Sequence, residues 1–131
     1  MAPIYFRRTY DEALALTVEA RDYVAWREGR ERQGQGMITR LTMSCEAMRV
    51  TSRLTQIMAW LLFQRAVFEG EMSRDEALDE ANRLGGHEVC LDDHALADDS
   101  LPTGLRSLML RSHRLYLRIL RLDRQVQQAT D

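Results

Sequence analysis

Lysine is absent from this sequence; all 18 basic residues are arginine. Every cation is therefore a planar guanidinium, suited to bidentate pairing with carboxylates. Proline occurs only twice and glycine seven times, so long stretches run without a helix breaker. The two cysteines, Cys45 and Cys90, suggest no disulfide framework and fit a reducing compartment. No apolar run reaches the roughly 18 residues of a membrane span. The start MAPIYFRRTY lacks the apolar core of a secretory signal. A cytoplasmic protein is expected. There is no glycine-rich phosphate loop, no GxSxG elbow and no CxxC pair. Neither catalysis, a cofactor nor a small-molecule substrate is expected from such a chain.

What is present is helical periodicity. The 131 residues, 45% hydrophobic and 29% charged, suit one soluble domain over 1–131. The stretch from Leu41 to Glu69 holds neither glycine nor proline, about eight helical turns. Leu41, Cys45, Met48, Thr55, Leu62 and Ala66 fall near one face, with Glu46, Arg49 and Arg53 elsewhere. From Ile57 to Phe63 every residue is apolar, and a soluble helix of that kind needs cover on more than one side. The stretch exceeds what two neighbouring helices would need, so a homodimer is expected. Its interface is assigned to Ile57, Met58, Trp60, Leu61 and Phe63, with Leu117 and Leu120 from the last helix.

The first helix is expected from Tyr5 to about Arg30. Thr9 and Glu12 have capping-box spacing, which would start regular helix at Tyr10. Tyr10, Ala13, Leu14, Thr17, Ala20 and Val24 or Ala25 would form its buried stripe. Arg30 to Gly36 reads as a flexible connection. Gly70 is a candidate C-cap, and Ser73 with Glu76 a capping box for a short helix ending at Gly85-Gly86. His87 to Ser100 reads as an acidic surface loop. The last helix opens at Leu101-Pro102 and runs to about Gln128. Its core stripe is Leu105, Leu108, Ser112, Leu115, Tyr116, Ile119, Leu122 and Val126, and Leu110, Leu117 and Leu120 lie off it. The fold expected is all-α: an antiparallel three-helix bundle with an extra short helix between the second and third long helices.

Charge is unevenly spread: −9 from Glu69 to Ser100, +4 from Leu101 to Asp131 and +3 before Glu69. Arg111, Arg114, Arg118 and Arg121 form a stripe on the last helix. Asp92, Asp93, Asp98 and Asp99 mark the acidic segment. These are the two candidate partner surfaces, although either could equally be a solvated face or pair with acids of the first helix. The stripe could also touch phosphates, but the acidic segment in so small a domain argues against nucleic acid. His87, Cys90 and His94, near Asp92 and Asp93, have a possible metal-ligand spacing. They sit on one loop and mix soft with hard ligands, so no metal site is assigned. His113 reads as a surface residue.

Three blocks carry a resemblance. YDEALALTVEAR (Tyr10 to Arg21), EAMRVTSRLTQIMAWLLFQRAVFEGEMS (Glu46 to Ser73) and LPTGLRSLMLRSHRLYLRILRLD (Leu101 to Asp123) resemble the RcdA family of alphaproteobacteria, whose name stands for regulator of CtrA degradation. The resemblance implies a three-helix-bundle homodimer without catalytic activity. It implies an adaptor that helps deliver CtrA and other substrates to the ClpXP protease, together with CpdR-like and PopA-like proteins. A structural or regulatory dimer serving another signalling protein is the alternative.

Overall fold

The computed structural model describes residues 3–129. Its helices are α1 (Ile4–Trp26), α2 (Glu28–Arg32), α3 (Met37–Phe68), α4 (Arg74–Ala77), α5 (His87–Cys90) and α6 (Thr103–Gln128), with a 3-10 turn at Glu80–Asn82. The all-α bundle of three long helices is as expected. Two short helices and the 3-10 turn, rather than one helix, fill the stretch between the second and third long helices.

Local signals explain most boundaries. Ser73 caps α4 by accepting the Glu76 amide at 3.0 Å. Gly70, at φ +74°, ends α3 in the left-handed conformation, with Glu71 N–H donating to Ala66 O and Gly70 N–H to Val67 O. Thr9 is no cap. It lies inside α1, which starts after Pro3, and its hydroxyl donates back to Tyr5 O at 2.9 Å. The connection expected to be flexible contains α2, held by the Tyr23 hydroxyl on Glu31 and by Arg32 on Ser44. α1 also turns a different stripe inward. Phe6, Thr9, Ala13, Leu16 and Tyr23 are buried, whereas Leu14 and Val24 are exposed. Packing favours the stripe with the bulkier members, and Phe6 meets Phe68 edge-on with centroids 5.1 Å apart.

The helix directions follow from cross-contacts. Glu12 pairs with Arg118 and Glu19 with Arg111, so α1 runs antiparallel to α6. Phe6 meets Phe68, and Tyr10 lies under Arg65, so α1 is antiparallel to α3 as well. α3 and α6, however, run parallel: Arg53 bonds Met109 and Ser112, and Trp60 bonds Asp123. A short loop would force antiparallel neighbours; the long connection from Glu69 to Pro102 instead travels back along the bundle.

That returning segment is a strap lying along α3 and α6. Arg83 meets Asp123, Gly85 meets Gln56 and Tyr116, and Cys90 and Asp92 meet Arg53. Leu84, Cys90, Ala95 and Leu101 are buried within the core cluster. α3 is thus covered by α1, by α6 and by the strap. This corrects the expected dimer interface: Ile57, Trp60, Leu61 and Leu120 are buried within one chain, and Met58, Phe63 and Leu117 are half-buried. α1, α6 and the strap cover most of the all-apolar run and leave Leu62 exposed.

Candidate interaction surfaces

The arginine stripe on α6 divides in two. Arg111 makes a bidentate pair with Glu19 at 2.6 and 2.7 Å, and Arg118 one with Glu12 at 2.7 and 3.1 Å. These two arginines tie α6 to α1. Arg114 and Arg121 are exposed and have no carboxylate partner among the described residues. Because both pairs are partly exposed, Arg111→Gln or Arg118→Gln should each lower stability by at most about 1 kcal/mol. The Arg111 hydrogen bonds hold the Glu19 carboxyl below its ordinary pKa. Its contribution is then present above the usual carboxylate range and lost as pH falls through the lowered value. Denaturant titrations of wild type and Arg111→Gln should differ at pH 7 and converge as pH falls through the lowered Glu19 value.

Two of the four candidate aspartates, Asp92 and Asp98, are engaged locally. Asp92 accepts from the His94 amide and contacts the His94 ring, and it pairs with Arg49 at 3.6 Å. The His94 bonds hold its carboxyl at about 2. Asp98 accepts from the Ser100 amide and hydroxyl, which lowers its pKa also. Asp93 and Asp99 are exposed. Of the three metal-ligand candidates, Cys90 is fully buried with its thiol pKa raised by burial, and His87 packs edge-on to Tyr116. Among the described residues, no three His, Cys, Asp or Glu side chains converge.

A long open surface lies on α3. Stepping 100° per residue, Leu41, Cys45, Met48, Ser52, Thr55, Ala59, Leu62 and Ala66 share one arc. Intervals of four and three alternate along it, and no charge interrupts about 37 Å of helix. Leu41 is 60% exposed, Met48 70% and Leu62 47%. A groove of 620 Å³ opens beside the arc, between α1 and α3. Ala20 and Val24 form one wall, Thr55, Met58 and Leu62 the other, and Leu105 and Leu108 of α6 the floor.

A family model described as "Protein of unknown function (DUF1465)" matches residues 1–131. The crystal structure of RcdA from Caulobacter crescentus CB15 is 35% identical, with a TM-score of 0.77, over 96% of this chain and 92% of that one. The chain belongs to the RcdA family. No curated protein sequence matches it.

In this RcdA-family chain, sequence reasoning set Glu46, Arg49 and Arg53 apart from the apolar arc and gave them no role. They lie off the apolar arc, which suggests water, yet Glu46 and Arg53 are buried and Arg49 nearly so. Together with Gln56 they form the polar rail that receives the strap. Arg49 donates to Glu46 and to Val89 O, and Gln56 accepts the Gly85 amide. Their spacing of three, four and three was the available signal. Asp123 was missed too, although it is the sole acid on α6. No helix among the described residues is long and apolar enough to cross a membrane.

Proposed function

We propose that this protein is a non-enzymatic adaptor of the RcdA kind, helping deliver substrates such as CtrA to ClpXP with CpdR-like and PopA-like partners. It works in the cytoplasm as a homodimer. The observation that carries the reading is the open arc of α3. Larger residues at Leu41, Met48, Thr55 and Leu62 alternate with smaller ones at Cys45, Ser52, Ala59 and Ala66. A seven-residue repeat of that kind lets a second helix approach closely and interdigitate. Two copies of the arc, related by two-fold symmetry, bury Met48 and Leu62 of both. The pairing surface therefore sits beside the groove and takes only Ala59 and Leu62 from the Ile57–Phe63 run. The pairing also leaves α6 and the strap free for partners, as an adaptor requires.

Two measurements test the reading. Wild type should sediment at twice the chain mass at micromolar concentration, and Met48→Glu with Leu62→Glu should sediment as a monomer that melts within a few degrees of wild type. A wild-type monomer ends the pairing. In a reconstituted ClpXP reaction, added protein should accelerate ATP-dependent loss of a CtrA-type substrate. Unchanged degradation, with firm binding to some other signalling protein, would favour a regulatory dimer outside proteolysis.

A further inference from the structure

The outer side of α6 is a second open face, with a chemistry unlike that of α3. Leu110, Arg114, Leu117, Arg121 and Arg124 fall within about 80° of one another around the axis. They lie between the sectors that meet the neighbouring elements, with Arg114 bordering α1 and Leu117 half-buried. α1 receives Arg111 and Arg118, while α3 and the strap receive Ser112, Tyr116 and Asp123. Arg114, Arg121 and Arg124 are exposed and unpaired among the described residues. The fold binds some arginines to carboxylates, as at Arg83, Arg111 and Arg118, and leaves others, such as Arg8, Arg30 and Arg74, without one among the described residues. On this face α6 itself offers none, because Asp123, its sole acid, is turned inward and consumed by Arg83 and Trp60.

We infer that this face of α6 docks an acidic amphipathic helix of a partner protein, its carboxylates pairing with Arg114, Arg121 and Arg124 and its apolar residues seated on Leu110 and Leu117. The inference rests on the adaptor reading and gives that reading a partner chemistry. Leu110 and Leu117 are seven residues apart, as are Arg114 and Arg121, so each pair spans about 10 Å along the axis. A partner helix with leucines at i and i+7 and glutamates on their flanks matches both spacings. A planar guanidinium pairs bidentately with each carboxylate, which lysine could not do as well. Phosphates would satisfy the arginines but leave the two leucines uncovered, so a protein helix fits this face better than a nucleic acid. The overall acidity of the chain adds repulsion against nucleic acid.

The probe is a fluorescein-labelled, lactam-stapled synthetic helix with leucines at i and i+7 and glutamates on both flanks, added to the full chain and followed by anisotropy. Binding should weaken at least tenfold in Arg114→Glu with Arg121→Glu, and at least threefold in Leu110→Asn, with melting temperature unchanged in both. Equal binding by the charge-reversed variant overturns the inference. So does equal binding of a peptide whose leucines are serines, tighter binding of a single-stranded oligonucleotide, or no peptide binding at all. Self-association that is lost in Arg114→Glu with Arg121→Glu would assign the face to a second copy and overturn it too. Degradation by ClpXP is read in parallel. If wild type stimulates degradation but ignores the peptide, this inference fails and the adaptor reading stands. If wild type binds the peptide as described but leaves degradation unchanged, the face stands and the adaptor reading fails.

Discussion

Replacing Arg53 by alanine should cost about 3–5 kcal/mol of stability, the largest effect of any single truncation considered for this protein. The guanidinium has no exposed surface. Nε donates to Cys90 O at 2.9 Å, Nη1 to Met109 O and Ser112 Oγ at 3.2 and 3.3 Å, and Nη2 to Asp92 O at 2.7 Å. Burial pulls its pKa down and the nearby Glu46 carboxylate opposes that, but an arginine stays charged. Alanine would leave backbone carbonyls without donors, a void where the side chain was, and Glu46 with less compensating charge. For a domain stabilised by about 5–15 kcal/mol, the thermal midpoint should fall by about 10 °C. A second readout is local. Cys90 is buried, so the variant should expose one more cysteine to a thiol reagent than native wild type does. Arg53→Lys should fall between them, because an ammonium cannot reach carbonyls on the strap and α6 in the same fork. A variant as stable as wild type, with Cys90 still silent, would show that the strap holds without this anchor.

The same residue shows where sequence reading stops. α6 was legible almost residue by residue, since a strongly amphipathic helix against one core has a single solution: Leu105, Leu108, Ser112, Leu115, Tyr116 and Ile119 are all buried as its periodicity predicts. α3 was legible as a helix but not in orientation. Its apolar arc through Met48 and Leu62 faces outward, and its polar rail through Glu46 and Arg53 faces inward. Periodicity reports that two faces differ; it does not report which one a strap of the same chain will cover. The strap was itself illegible because its acids suggest solvent, while its contribution to the core comes from Leu84, Cys90, Ala95 and Leu101, scattered among them. The parallel course of α3 and α6 was hidden for the same reason, because it depends on where that connection runs. Of the candidate site arginines, Arg114 and Arg121 have no carboxylate partner among the described residues, whereas Arg111 and Arg118 are partners of α1.

Asp123→Ala should cost about 2–4 kcal/mol, and it tests the other end of the strap. The carboxylate is buried. Oδ1 accepts from Trp60 Nε1 at 2.9 Å and from Arg83 Nε at 2.8 Å, and Oδ2 accepts from Arg83 Nη2 at 2.8 Å. Arg83 Nη2 also reaches Gln127 Oε1 at 3.0 Å. Alanine would strand the indole N–H in the core and leave a partly buried guanidinium with one neutral acceptor. Asp123→Asn should be milder, because an amide oxygen can still accept from Trp60 while the charge facing Arg83 is gone. In a Trp26→Phe background, Trp60 emission should shift to the red in Asp123→Ala. A double-mutant cycle of Asp123→Ala with Arg83→Ala should give a coupling of about 1–3 kcal/mol, since the two share one ion pair. The two anchors also report on cooperativity. If the strap opens as a single unit, Asp123→Ala should unmask the Cys90 thiol as Arg53→Ala does. If Cys90 stays protected while hydrogen exchange quickens only near Arg83 and Gly85, the strap comprises two independently held halves, and Arg53 alone guards the upper one.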